Sequence, residues 1–330
     1  MKLTTQLTER LGIRYPILLA PMARVAGGQL ASAVSAAVGL GLIGGGYGDA
    51  EWLAREFELA GTSRVGVGFI TWSLAKRPTL LELALERRPV AVMLSFGDPA
   101  PFVEQIKRIG ATVICRVQTV AMARDAVAKG ADVLVAQGAE AGGHGVARGT
   151  MTLVPAVVDA VGPELPVVAA GGIADGRGLA AALMLGASGV LMGTRFFASE
   201  EALGHPAAKQ KLLRASGDET VRSSVFDISR RLAWPAPFTG RALRNAYVDY
   251  WLGRETDLLR QIDVEAARYA AAAEAGDFDT AVVYAGEVVD LVNDVPPAGV
   301  IVERVVSEAT RLLGAAAATA APQSRAPAVS

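Results

Sequence analysis

A single cysteine in 330 residues, Cys115, leaves no room for an internal disulfide framework. Its place in an apolar run matches a reducing, cytoplasmic setting. Neither sign of charge dominates, with 32 Lys and Arg against 33 Asp and Glu. That balance removes the broad basic footprint of a nucleic-acid or anionic-membrane binder. No stretch approaches about 18 apolar residues without a glycine, so no membrane span is expected. The start, Met1-Lys2-Leu3-Thr4-Thr5, has no charged region leading into an apolar one, and no secretory signal is evident. Histidine occurs only twice, at 144 and 205, with no histidine or cysteine near either, so no metal site is expected. Two nucleotide signatures are missing as well. There is no Walker lysine motif, and Gly41-Leu42-Ile43-Gly44-Gly45-Gly46 is followed too soon by Asp49 and Glu51. A ribose-binding acid belongs about 20 residues further on. Any phosphate ligand is therefore mononucleotide-like.

What is present is a regular alternation. Hydrophobic residues make up 52% and charged residues 20%, the balance of a large, well-buried α/β core. Short apolar runs at Ile17–Leu19, Gly41–Ile43, Val65–Ile70, Val90–Leu94, Val113–Val117, Val133–Ala136, Val167–Ala170 and Val190–Met192 read as strands. Segments of helical period follow them, such as Ala121–Lys129 and Leu179–Leu185. Continuous apolar strands separated by helices imply a parallel sheet covered on both faces. Eight such units without a break favour a closed (β/α)8 barrel over an open doubly wound sheet. The likeness of Gly130–Gly138 to Gly186–Thr194, each a helix end, a buried strand and a glycine, fits a repeated unit. Residues 1–200 are therefore assigned to the main part of the barrel. Past Ala198, helical periodicity recurs at His205–Arg214, Thr256–Ala272 and Gly299–Leu313, with no strand-like run of comparable strength. The piece Trp234-Pro235-Ala236-Pro237-Phe238 interrupts it. Residues 201–313 are read as a smaller, mostly helical cap over the barrel mouth, whose last helix closes the eighth unit. Residues 314–330, mostly Ala, Pro and Ser, are read as a disordered tail.

Barrel enzymes carry their sites on loops after the strands and often bind phosphate after strands seven and eight. Gly171-Gly172-Ile173 and Gly193-Thr194-Arg195 stand at those two places. Glycines let backbone N–H groups approach a phosphate, and Thr194 adds a hydroxyl. Ala20-Pro21-Met22 follows the first strand, where Met22 either lies against a flat ring or is ordinary core. Arg116 ends the fifth strand, either as a cation for negative charge on a reduced flavin or as a salt-bridge partner of Glu140. After the sixth strand comes Gln137-Gly138-Ala139-Glu140-Ala141-Gly142-Gly143-His144-Gly145, a histidine bounded by glycines at the catalytic end. His205 precedes a proline and reads as the start of a helix. Cys115 lies within a strand, where a nucleophilic thiolate is not expected.

Taken in order, Ala20-Pro21-Met22, Leu42-Ile43-Gly44-Gly45-Gly46, the loop ending in His144, Ala170 to Gly178 and Leu191-Met192-Gly193-Thr194-Arg195 resemble the nitronate monooxygenase family, formerly 2-nitropropane dioxygenases. The resemblance covers about residues 10–200 and continues more loosely through Phe238–Asn245. It implies a TIM barrel with non-covalent FMN. Gln137, Gly142 and Gly172 are similar to the family's flavin contacts, with Gly143 and Gly171 beside them. Leu191, Met192, Gly193 and Thr194 would surround the phosphate, and Arg116 falls where some relatives have a basic residue near the ring. His144 matches the active-site histidine. Gly68 departs, because many relatives place Asn there, and only its backbone would meet the flavin. The implied reaction oxidises an alkyl nitronate with O2 to a carbonyl compound and nitrite, with His144 orienting the substrate or deprotonating a neutral nitroalkane. Phe69, Trp72 and Phe96 are candidates for an apolar pocket. The expected partners are a small nitronate and O2, and a homodimer is compatible with the sequence. The same architecture also occurs in FMN-dependent NADH:quinone reductases and enoyl-ACP reductases. A non-catalytic flavin-binding barrel and a flavin-free sugar-phosphate enzyme are the remaining alternatives. Barrels like IMP dehydrogenase share the Gly171-to-Thr194 segment but need a cysteine after strand six, which is lacking.

Overall fold

The computed structural model describes residues 3–320. Its strands, in chain order, are β1 (Ile17–Leu19), β2 (Leu42–Gly44), β3 (Gly66–Ile70), β4 (Ala91–Ser95), β5 (Thr112–Val117), β6 (Val133–Gln137), β7 (Gly143–Gly145), β8 (Val167–Ala170), β9 (Gly189–Met192), β10 (Thr220–Ser223) and β11 (Thr239–Leu243). Eight of them form one parallel sheet in the order β1-β9-β8-β6-β5-β4-β3-β2. The ends of that sheet meet. Leu40 N–H donates to the Ile17 carbonyl and Leu19 N–H to the Leu40 carbonyl, each at 3.0 Å, which closes the barrel beside β1.

Side-chain parity explains why these apolar runs close on themselves. Successive residues of a strand point to opposite faces. Leu18, Leu42, Met93, Ile114, Val135, Val168 and Leu191 point inward and form one buried cluster. Leu7 and Leu11, from the helix Gln6–Leu11, join that cluster and plug the barrel floor. Their strand neighbours Leu19, Ile43, Val92, Val113, Leu134, Val190 and Met192 point outward, into a second cluster under the helices. The barrel is thus packed through its centre, and only its upper layer is left to hold a ligand.

The final helix, Ala298–Ala320, packs against the helices Gly28–Ala36 and Gly176–Met184 and covers the barrel wall after β9. The approach is close. A methyl group on Gly176 would lie 2.4 Å from the Ala309 backbone nitrogen, so only glycine fits there. This helix runs on through Ala320, past residue 314, where the sequence reading placed the start of a disordered tail. Residues 321–330 lie outside the described residues. The reading of Thr256–Ala272 as one helical stretch also needs correction. The chain forms two helices there, Glu255–Arg260 and Ile262–Ala275.

Between β9 and the final helix lies the cap, which is mostly helical but holds a sheet that the sequence did not reveal. β10, β11 and β7 pair antiparallel, with Gly240 opposite His144 and Thr239 opposite Gly145. A barrel loop is therefore hydrogen-bonded as a strand to the cap. The cap has its own core, in which Phe226, Tyr247, Trp251, Leu258 and Tyr269 pack together.

Candidate active site

The upper ends of the barrel strands and the cap enclose a cavity of about 370 Å³, within the range of small-molecule sites. Ala20, Pro21 and Met22 form one side, with Gly68 next to them. Gly68 points inward like Met93, which lies opposite it in β4, and a methyl group there would lie 2.3 Å from Pro21 Cγ. Pro21 occupies the space a side chain at 68 would need. Arg116 and Gln137 reach the cavity by the same inward parity, and Leu191 contributes its upper edge.

The end beneath β8 and β9 is built from backbone. Gly171 and Gly172 have φ of 101° and 72°, a left-handed conformation that favours glycine. Gly193 and Thr194 complete this end. Thr194 Oγ1 accepts a hydrogen bond from Gly286 N–H at 3.0 Å, which leaves its own proton to donate. Gly142 is required for another reason, since a methyl group on it would lie 2.6 Å from the Ala285 carbonyl carbon. Gly143, at φ 73°, has open space around it.

Arg116 is the barrel's cation in this cavity. Its guanidinium carbon sits 3.9 Å from the centre of the Phe96 ring, and its Nε has no hydrogen-bond partner among the described residues. The alternative salt bridge to Glu140 does not form. Glu140 instead accepts from the Thr150 N–H and hydroxyl, at 2.9 and 2.8 Å. Burial lowers the Arg116 pKa to about 9, which still leaves a cation at neutral pH. A buried cation without a carboxylate is costly unless an anionic group meets it.

His144 is 6% exposed and held from several sides. Gln137 Nε2 donates to its carbonyl at 3.1 Å, and Gln118 Nε2 donates to Gln137 Oε1 at 3.0 Å. Its Nε2 lies 2.8 Å from Asp227 Oδ2, a carboxylate that is itself buried. The Trp234 indole stacks flat on the imidazole, with centroids 3.4 Å apart and planes 7° from parallel. Tyr284 donates its hydroxyl to Asp227 Oδ1 at 3.3 Å and also lines the cavity. Burial lowers the His144 pKa below the ordinary histidine value. Asp227 opposes that shift, while Arg116 and Arg230 add to it. The imidazole is therefore mainly neutral at pH 7.

The structure brings the residues singled out in the sequence to this one cavity, with the exceptions of Met192 and Trp72. Met192 does not line it. It follows inward-facing Leu191, so it points outward into the core, while its carbonyl accepts from Ala20 N–H at 2.9 Å. Met22 lines the cavity and packs against the core as well, so both readings of it apply. Phe69 and Phe96 line the cavity, but Phe69 lies within β3 rather than on a loop. Trp72 stands behind them, edge-on to Trp234 at 5.5 Å. His205 caps the helix Pro206–Leu212 by accepting from Ala207 N–H. Cys115 is buried, and burial pushes its pKa up to about 12, so it has no thiolate to offer.

Sequence reasoning missed the cap's contribution, namely Asp227, Arg230, Trp234 and Tyr284. Asp227 lies 83 residues from His144, in a helix whose neighbours read as plain core. The one available signal was the aromatic, proline-rich piece around Trp234.

Known proteins with a similar chain carry this geometry further. The nitronate monooxygenase family profile matches residues 70–308. The nitronate monooxygenase of Neurospora crassa is 37% identical over 341 aligned positions, spanning 89% of this chain and 88% of that protein. Among solved structures, FabK from Thermotoga maritima matches with a TM-score of 0.85 at 32% identity, over 96% of this chain and 99% of the other. A nitroalkane oxidase from Streptomyces ansochromogenes matches with a TM-score of 0.81 at 27% identity, over 94% and 100%.

Proposed function

Since this chain belongs to the nitronate monooxygenase family of flavin-dependent oxidoreductases, we propose that it holds FMN in the barrel mouth and oxidises alkyl nitronates with O2. The products are a carbonyl compound and nitrite. The observation that carries this reading is the Arg116 guanidinium, whose Nε has no partner among the described residues, facing the same cavity as His144 and the glycine loops. A cation there suits the ring of a reduced flavin, and the Gly171, Gly172, Gly193 and Thr194 end suits its phosphate. Ala20-Pro21-Met22 and Gly68 leave the flat, side-chain-poor surface that a ring requires.

Held by Arg116 and by the end made of Gly171, Gly172, Gly193 and Thr194, a flavin would supply the redox chemistry between substrate and O2. The chain's own residues do the rest. His144 takes the carbon proton where a neutral nitroalkane enters, and the imidazolium so formed can hydrogen-bond the nitro oxygens. Trp234, Phe96 and Tyr284 keep water from the side of the cavity that His144 faces. The partners are a small nitronate and O2.

The test is the visible spectrum of the purified protein under nitrogen. A flavin band that bleaches on adding nitronate without NADH, and returns in air, supports the reading. Flavin released by heat should be FMN by mass. A second reading, NAD(P)H-dependent reduction of a quinone or an enoyl thioester, draws on one observation. The cavity lining includes Tyr269, Ala273, Phe278 and Val282 of the cap, a largely apolar surface that suits a quinone or an acyl chain. Rapid bleaching by NADH, with none by nitronate, would replace the first reading with the second.

A further inference from the structure

The His144–Asp227 contact joins a barrel loop to a cap helix, and nothing in the proposed reaction yet uses the carboxylate. Its geometry is specific. Asp227 Oδ2 meets one ring nitrogen, Nε2, at 2.8 Å, while Oδ1 accepts from the Tyr284 hydroxyl at 3.3 Å. Tyr284 in turn accepts from Arg230 Nη1 at 3.3 Å. The imidazole cannot tilt away, because Trp234 lies flat against it and its backbone is paired with Gly240 of β11. Both His144 and Asp227 are buried, so water does not compete for the contact.

An ionised carboxylate accepts hydrogen bonds and cannot donate them. The proton on the neutral imidazole must therefore sit on Nε2, and Nδ1 is left with a free lone pair. We propose that Asp227 is a positioning residue that locks His144 in the Nε2–H tautomer, making Nδ1 the proton acceptor for a neutral nitroalkane. In that step the carbon–hydrogen bond breaks and its proton goes to Nδ1. Its electron pair forms the carbon–nitrogen double bond, and the nitro oxygens take the negative charge. The imidazolium so formed faces Asp227, which offsets its charge in a site that otherwise brings only the cations Arg116 and Arg230 near it. No oxidant is needed until the nitronate exists. A pre-formed nitronate skips the proton transfer, so it depends on Asp227 less.

This inference rests on the proposed nitronate reaction, and the two fail differently. The first measurement needs no turnover. With His205→Asn, an Asn being a good helix cap, a ¹⁵N-imidazole label reports His144 alone in the protein as purified. The expected spectrum has a protonated Nε2 and an unprotonated Nδ1 at neutral pH. A proton on Nδ1, or on both nitrogens, overturns the proposal, even if Asp227 variants fail to fold. The second measurement is a ratio. In Asp227→Asn, turnover of a neutral nitroalkane should fall at least tenfold further than turnover of its nitronate, and Asp227→Glu should restore part of the difference. An equal fall for both substrates would make the contact a structural tie and end the proposal. Failure of the unmutated protein to oxidise nitronate at all would instead remove the parent reaction and leave the tautomer measurement standing.

Discussion

The barrel and the cap face each other across the same cavity with different materials. The barrel side is glycine, short apolar side chains and the cation Arg116, whose Nε has no partner among the described residues. The cap side is Arg230, Trp234 and Tyr284, with Asp227 behind His144. On the barrel side the polar contacts are backbone groups and the Thr194 hydroxyl, which do not titrate near neutral pH. On the cap side they are groups that move or shelter protons. The difference separates two tasks. One wall is shaped to hold a flat, phosphorylated group, and the other to handle a proton on what lies above it.

Substitutions that touch one wall should leave the other's task intact, and the largest effect is expected at the point where the walls meet. His144→Ala should lower turnover by about 100-fold or more while the flavin stays bound. Loss of flavin from that variant would show that the histidine belongs to the cofactor wall after all. Gly68→Ala should act on the barrel wall only. Its methyl group would collide with Pro21, costing about 1–3 kcal/mol, and flavin content after purification should drop together with thermal stability. Trp234→Ala should lower kcat more than it raises KM, because it removes a stacking contact, worth about 1 kcal/mol, that keeps the His144 ring from tilting. A rise in KM with kcat unchanged would mean that Trp234 only lines the substrate space.

A smaller effect concerns pH. Burial holds the His144 pKa below its ordinary value, so the neutral imidazole persists through pH 6.5, and turnover of a neutral nitroalkane should fall only below that. An acid limb above 6.5 would mean that Asp227 outweighs burial. The smallest effect is on the stability of the flavin-free protein. Arg116→Met removes a cation that has no carboxylate to lose, so Tm without flavin should stay level or rise. The increase in Tm on adding FMN should shrink. A large fall in the flavin-free Tm would show that Arg116 is structural.

The two walls also differ in how far they can be read from the sequence. Each barrel strand is a run of apolar residues whose packing needs no distant partner to be recognised, and the glycines after β8 and β9 stand where barrels keep their ligands. Met192 shows the limit of reading a motif as a block, because strand parity turns its side chain away from the cavity that Leu191 faces. β7 was not legible because Gly-His-Gly has no alternation to betray a strand, and its pairing depends on β11 in the cap. Asp227 was not legible for a similar reason. Its role comes from a contact in space, and within Val225-Phe226-Asp227-Ile228-Ser229 it is one polar residue in an apolar helix.

The pairing of β7 with β11 makes the cap an unsuitable part to exchange. Cap residues enter the chain after β9 and leave it before the final barrel helix, so in topology they are an insertion that could be trimmed or grafted. Yet β11 is the strand that holds His144 in place. A chimera carrying a foreign cap would inherit a complete cofactor cradle and a histidine without a fixed direction, and would be yellow and slow. Engineering a new substrate range should therefore start with the apolar cap residues that line the cavity, at Ala273, Phe278 and Val282, and leave the strand exchange between loop and cap untouched.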